Sequence, residues 1–267
     1  MHKITSAANP TIKLLKSLHA KKGRQRTGLF LAEGARLAQE AADLGIWPEL
    51  LIVAEAALDR PYAVRLVEGA ERERVRVAAV SERVLEQIAR RDNPQSVMGA
   101  YRQRWADLDA FRGADLIVAL NEVRDPGNLG TIMRTCDAVG ATGVVLTGAC
   151  CDPFSVETVR ATMGSVFTAA VAAASFQEFN EWRRSARLKM IGAAPDGAAR
   201  HDSVDVSAPL VVLMGNEQSG LPPEARSACD ALVRIPMRGR ADSLNLAMAT
   251  TVMLYDVWRR RSYAGAR

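Results

Sequence analysis

Three histidines and four cysteines are the whole supply of soft metal ligands in these 267 residues, and no two cysteines form a C-x-x-C pair. Zinc centres draw on His/Cys clusters, and disulfide frameworks on regularly spaced cysteines in secreted chains, so both are excluded. Cys136, Cys150, Cys151 and Cys229 read as reduced thiols, and no metal is expected. Long apolar runs are missing as well: the small-apolar stretch from Val166 to Ala174 falls far short of the ~20 residues a spanning helix needs. Met1-His2-Lys3-Ile4 opens no secretory leader, so the chain reads as cytoplasmic, with no membrane partner. Neither G-x-G-x-x-G nor G-x-x-x-x-G-K-[ST] occurs, which removes the standard dinucleotide and P-loop sites and leaves a dehydrogenase unsupported. What remains is a chain that is 48% hydrophobic and 24% charged, the balance of a globular protein of one large or two modest domains.

The net charge of +5 is unevenly spread. Residues 1–107 hold 18 Lys and Arg against 13 Asp and Glu, whereas residues 108–267 are balanced at 17 and 17. Lys3, Lys13, Lys16, Lys21, Lys22, Arg24 and Arg26 all precede the first acidic residue, Glu33. A surface normally mixes both signs, and an unbalanced cationic run gains affinity for a polyanion by releasing its counterions. Lys13, Lys16, Lys21, Lys22, Arg24 and Arg26 are therefore candidate RNA or DNA contacts, the alternative being a solvated basic face.

Ile12, Leu14, Leu15 and Leu18 have helical spacing, and Lys21-Lys22-Gly23 reads as the cationic last turn that ends this helix. Strands are predicted at 28–32, 50–54, 75–80 and 96–102 and helices at 35–44 and 81–90, which makes a small α/β unit. The polar stretch 103–113 has no sustained period and is the candidate linker between a first domain, 1–107, and a second, 114–267. In the second, the runs 116–120, 143–146, 190–193 and 210–214 are continuously apolar, as expected of parallel strands covered on both faces. Segments 128–139, 154–165, 176–188 and 222–229 can supply the covering helices of a doubly wound α/β sheet. A last helix, Ser243 to about Arg261, is apolar around most of its circumference and calls for a second neighbour, its own sheet or another subunit.

Three loops carry candidate chemistry. After the first apolar strand come Asp125-Pro126-Gly127-Asn128, a turn delivering an Asn cap, and Arg134, a cation in an apolar stretch that must find an anionic partner or reach solvent. Gly215-Asn216-Glu217-Gln218-Ser219-Gly220 follows strand 210–214, at a carboxyl end where open sheets bind ligands. In the third, Ser243 can cap the last helix and Asn245 needs a hydrogen-bond partner.

Their ordered combination, N-x-x-x-x-x-G-N-x-x-x-x-x-R-T, then G-N-E-x-x-G-L, then I-P-M-x-G-x-x-x-S-L-N-x-x-x-A, resembles the SpoU (TrmH-like) branch of the SPOUT RNA 2′-O-ribose methyltransferases over residues 114–261. Residues 1–107, through their layout, charge and Phe30-Leu31-Ala32-Glu33-Gly34, resemble the ribosomal-protein-like substrate-binding domain often fused in front of these enzymes. The resemblance implies an α/β domain with a parallel sheet and a deep trefoil knot, a bent S-adenosyl-L-methionine, and a homodimer that places Arg134 near the partner's cofactor. It assigns Arg134, Asn128, Glu217, Ser243 and Asn245 to catalysis, and Met214, Gly215, Ile235 and Leu244 to the cofactor. A guanidinium does not surrender its proton in a protein, so the role expected of Arg134 is electrostatic stabilisation of the forming alkoxide. Ribosomal RNA is expected over transfer RNA by analogy with the fused domain; the competing class is a non-enzymatic RNA-binding or ribosome-assembly protein.

Overall fold

The computed structural model describes residues 1–207 and 209–266. From the amino terminus the elements are β1 (His2–Ile4), α1 (Pro10–Ser17), α2 (Lys21–Thr27), β2 (Leu29–Glu33), α3 (Ala35–Asp43), β3 (Leu50–Ala54), α4 (Pro61–Arg72), β4 (Arg76–Val80), α5 (Glu82–Ala89) and β5 (Val97–Arg102). There follow β6 (Leu116–Asn121), α6 (Pro126–Val139), β7 (Gly143–Thr147), α7 (Val156–Thr162), β8 (Ala170–Ala174), α8 (Phe176–Ser185), β9 (Lys189–Ala193), β10 (Ala199–Arg200), β11 (Leu210–Met214), α9 (Pro223–Ala228), β12 (Ala231–Arg234) and α10 (Leu246–Arg260). The chain divides into two compact units, one of residues 1–103 with 154–167 and one of residues 104–153 with 168–267.

The first unit is built on a mixed sheet of order β1-β4-β3-β5-β2, parallel from β1 to β3 and antiparallel thereafter. Asn9 caps α1 by accepting from the Thr11 N–H, and Pro10 fills the first turn, where no donor is needed. Contrary to expectation, Lys21-Lys22-Gly23 does not end this helix but begins α2. The orphan carbonyls at the end of α1 are met instead by Arg24, which is 3% exposed and donates from Nη1 to the oxygens of Leu18 (2.8 Å) and His19 (3.0 Å). Gly23 permits this close turn, because a Cβ there would stand 1.9 Å from the Ser17 carbonyl oxygen. Helix α4 escaped the sequence reading: its inward positions, Ala63, Leu66, Gly69 and Ala70, carry little apolar bulk among many charges.

The assignment of 154–165 to the second domain's sheet is corrected. Helix α7, with Phe154 and Phe167 at its flanks, packs against β2 in the first unit, where Phe30 meets Phe154 (5.2 Å) and Tyr101 meets Phe167 (4.8 Å).

The second unit is a wholly parallel sheet of order β10-β12-β9-β11-β6-β7-β8. Strands β6, β7 and β11 are buried throughout, which explains their continuously apolar sequences. The stretch read as a linker contributes to this core: residues 108–111 form a 3-10 turn and Phe111 is fully buried. Strands β6 and β11 are neighbours although far apart in sequence, which brings two of the motif loops together at their carboxyl ends.

Candidate active site

Each motif loop is set by local chemistry. Asp125, not Asn128, caps α6, its Oδ1 accepting from the Asn128 N–H at 2.6 Å with Pro126 in the first turn. In the second loop Asn216 and Gly220 exchange backbone hydrogen bonds (3.1 and 3.0 Å), and Asn216 Oδ1 accepts from the N–H groups of Gln218 and Ser219. A side chain at Gly215 would collide with the Gly220 carbonyl carbon at 2.3 Å, so this turn requires glycine there. In the third loop the cap of α10 is Asn245 and not Ser243, which moves the helix start to Leu246; Asn245 Oδ1 accepts from Ala247 N (2.9 Å) and Met248 N (3.3 Å).

A single relay joins the loops. Glu217 Oε1 accepts from Asn128 Nδ2 (3.2 Å) and from the Asp125 N–H (3.1 Å), and Oε2 from the Arg124 N–H (3.2 Å). Asn128 Oδ1 in turn accepts from Asn245 Nδ2 at 3.0 Å. Both asparagine amides thus have fixed orientations, and the partner that Asn245 needed is found in the first motif. Burial by itself would raise the Glu217 carboxyl, but its own N–H, the Asn128 amide and the N–H groups of Asp125 and Arg124 outweigh that cost and hold it below the ordinary glutamate value.

Beside the relay lies a cavity of about 330 Å³. Its walls include Met214, Gly215, Ile235 and Leu244, the four residues assigned to a cofactor, together with Glu217 and Ser243. Ser243 Oγ donates to Asp242 Oδ1 at 3.2 Å. The lining at Ala193, Ala194 and Pro195 was missed in the sequence, although it follows an apolar strand as the other loops do. The volume is that of a small-ligand pocket, and its apolar side chains beside backbone polar groups suit a nucleoside with a polar tail. A larger concavity, about 710 Å³, lies at the amino end of β6 by Asp115 and Trp258 and contains none of the motif residues.

Arg134 is not among the lining residues. It stands exposed on α6 with no acceptor among the described residues, so of the two fates open to it, it takes solvent. The assignment of Arg24 to RNA binding is corrected, since its guanidinium is buried and bonded to α1. Lys13, Lys21, Lys22 and Arg26 are exposed, and Lys16 is half-buried with Nζ on Gln87 Oε1 at 2.7 Å. Burial pushes the Cys136 and Cys151 thiols up to about 12 and Cys229 to about 11, away from nucleophilic use. Among the described residues no helix is long and apolar enough to cross a membrane.

Comparison with known proteins is consistent with this geometry. Residues 115–255 match the SpoU rRNA Methylase family, and residues 9–99 match the MRM3-like substrate binding domain. The chain is 31% identical to the 23S rRNA (guanosine(2553)-2′-O)-methyltransferase RlmP of Bacillus subtilis (strain 168), over 96% of this chain and 99% of the relative. It is 33% identical to the 23S rRNA (uridine(2479)-2′-O)-methyltransferase of Streptomyces viridochromogenes, over 89% and 85%. The AdoMet-bound rRNA methyltransferase from Sinorhizobium meliloti superposes with a TM-score of 0.89 at 44% identity, covering 97% of each chain.

Proposed function

The chain belongs to the SpoU rRNA methylase family, and from that premise we propose that it methylates a ribose 2′-hydroxyl of ribosomal RNA, with S-adenosylmethionine as donor. The observation that carries this reading is the relay Glu217–Asn128–Asn245, which ties three separated loops around one cavity. Bound there, S-adenosylmethionine supplies a methyl group on a sulfonium, an electrophile needing no further activation. Met214, Gly215, Ile235 and Leu244, which line the cavity, would hold its adenosine.

The protein's remaining task is to orient the ribose oxygen in line and stabilise the charge it gains as its proton leaves, and positioning alone supplies much of the acceleration. Arg134, which lines no part of its own copy's cavity, takes the electrostatic part at the cavity of the second copy in a homodimer: its planar fork can hold an alkoxide and a neighbouring phosphate together while staying charged, and the proton passes to phosphate or water. Asn128, Asn245 and Glu217 satisfy one another and act as positioning residues for the loop backbones, and Ser243 orients the ribose.

The same reading includes an RNA-binding first domain, a deep trefoil knot, a homodimer and residence in the cytoplasm, where ribosomal RNA is available. The match to a substrate-binding domain and the exposed Lys13, Lys21, Lys22 and Arg26 support the first. The family match over residues 115–255 supports the knot. The exposed stripe Met248, Val252 and Tyr255 on α10 supports the dimer. The test is calorimetry with S-adenosylhomocysteine, joined to mapping of 2′-O-methyl groups in RNA from cells with and without the gene. One ribosomal ribose losing its methyl is the expected result. Loss at a transfer RNA position instead would replace the substrate, and absence of cofactor binding would leave a non-enzymatic RNA-binding protein.

A further inference from the structure

The arginines of the second unit fall into two populations. Most are occupied: Arg112 by Asp109, Arg183 by Asp230, Arg200 by Asp202, Arg226 by Asp196, Arg259 by Asp256 and Arg261 by Asp115. Arg234, at the end of β12, donates to the carbonyls of Gly197 and Ala198. Arg184 and Arg187 lie at the carboxyl end of α8, where a cation complements the helix dipole. Arg238 and Arg240, like Arg104 and Arg134, have no such reason, and they alone of these four stand two residues apart. Both are exposed, neither has an acceptor among the described residues, and they flank Gly239, around which there is open space. The nearest carboxylate in sequence, Asp242, accepts from Ser243. Two cations two residues apart repel one another unless a polyanion is present.

Their position gives them a use. They stand on the segment whose Ile235, Met237, Asp242, Ser243 and Leu244 line the cavity. A ribose 2′-hydroxyl sits on the carbon next to the one bearing the 3′-phosphate, so no ribose can approach that cavity without bringing a phosphodiester to its mouth. We propose that Arg238 and Arg240 grip the phosphodiesters flanking the target ribose and so position its 2′-oxygen at the cavity. This rests on the methyltransfer reading given above. Bidentate arginine–phosphate pairing supplies geometry as well as charge, which a positioning role requires.

The test uses the full chain carrying Arg238→Gln with Arg240→Gln, and unmodified 23S ribosomal RNA made by transcription as probe. RNA affinity and kcat/KM are measured across a salt series, alongside S-adenosylhomocysteine affinity and the thermal midpoint. Loss of two single-strand phosphate contacts is expected to lower the slope of log affinity against log salt by about 1.4 and kcat/KM by about tenfold or more, most at low salt. Cofactor affinity and midpoint stay as in the wild type, and Arg238→Lys with Arg240→Lys recovers the salt slope but not the full rate. An unchanged slope overturns the proposal. So does a loss confined to S-adenosylhomocysteine affinity, which would mean that the arginines hold the cofactor carboxylate. Wild-type protein that binds the transcript and cofactor without turnover would defeat the parent reading, while the salt slope of binding would still judge the arginines.

Discussion

Arg24 and its neighbours on α2 separate two uses of a cation within one short helix. The Arg24 guanidinium closes the end of α1, whereas Lys21, Lys22 and Arg26 face solvent. Arg24→Ala should therefore cost about 1.5–3 kcal/mol of stability in urea unfolding, the range for hydrogen bonds made by a charged group. Neutralising Lys21, Lys22 and Arg26 together should spare the unfolding midpoint and reduce the salt slope of RNA binding, by up to ~0.9 per lost duplex contact. Equal loss of stability in both variants would refute the distinction. At Arg134, exposed and without an acceptor among the described residues, Arg134→Ala should keep the thermal midpoint and cofactor affinity while methyl transfer falls by orders of magnitude. Arg134→Lys should remain severely impaired for want of the planar fork, and near-normal rates in that variant would show that a point charge suffices. Glu217 predicts a pH dependence. Because its folded value lies below the ordinary one, the stabilisation it contributes is complete above the ordinary carboxylate range and is lost as pH falls through the lowered folded value. The wild type should accordingly lose S-adenosylhomocysteine affinity in acid, while Glu217→Gln starts lower and declines less; identical acid profiles would remove Glu217 from the relay.

Among the elements, α7 departs furthest from what its sequence neighbourhood suggests. Alternation of strand and helix assigns each helix to the sheet next to it in the chain, yet the apolar face of α7, with Val156 and Val159, lies on β2. The aromatic group of Phe30, Tyr101, Phe154 and Phe167 thus draws on segments about fifty residues apart or more. Glu33 adds a polar tie, its buried carboxylate accepting from Arg91 and from Arg160 Nη2 at 3.2 Å. Removing residues 1–103 is therefore expected to leave a protein that still binds S-adenosylhomocysteine but also binds a hydrophobic dye and aggregates on warming, because Phe154, Val159 and Phe167 lose their cover. A truncated protein with no dye binding and an unchanged midpoint would show that α7 does not need the first unit.

For the whole molecule, the proposed dimer rests on α10. Its inner face is filled by Leu246, Thr250, Met253, Leu254 and Val257, while Met248 is 59% exposed and continues into Val252 and Tyr255. Helix and sheet within one copy thus satisfy only part of an apolar circumference, and a second copy related by a two-fold axis can cover the rest. Sedimentation equilibrium should give twice 28.9 kDa for the wild type and 28.9 kDa for Met248→Asp with its fold retained. Met253→Asp, buried at 2% exposure, should unfold instead of dissociating. A wild-type monomer at micromolar concentration would dispose of the dimer.

Much of this was legible in residue order alone. Continuous apolarity marked β6, β7, β9 and β11 because strands covered on both faces have no polar side to show. The three loops were legible because glycine, asparagine and proline are demanded by backbone geometry at fixed positions, as at Gly215. Residue order could not say that Asn245 bonds to Asn128, 117 residues away, because that partner is chosen by the packing of α10 on α6, which no local pattern specifies. Nor could it separate Arg24 from Arg26, since both are cations on one short helix and only the packing of α2 against the end of α1 buries the first. The placement of α7 was likewise undecided until tertiary contact chose among sheets, because an amphipathic helix specifies that it must be covered and not by what.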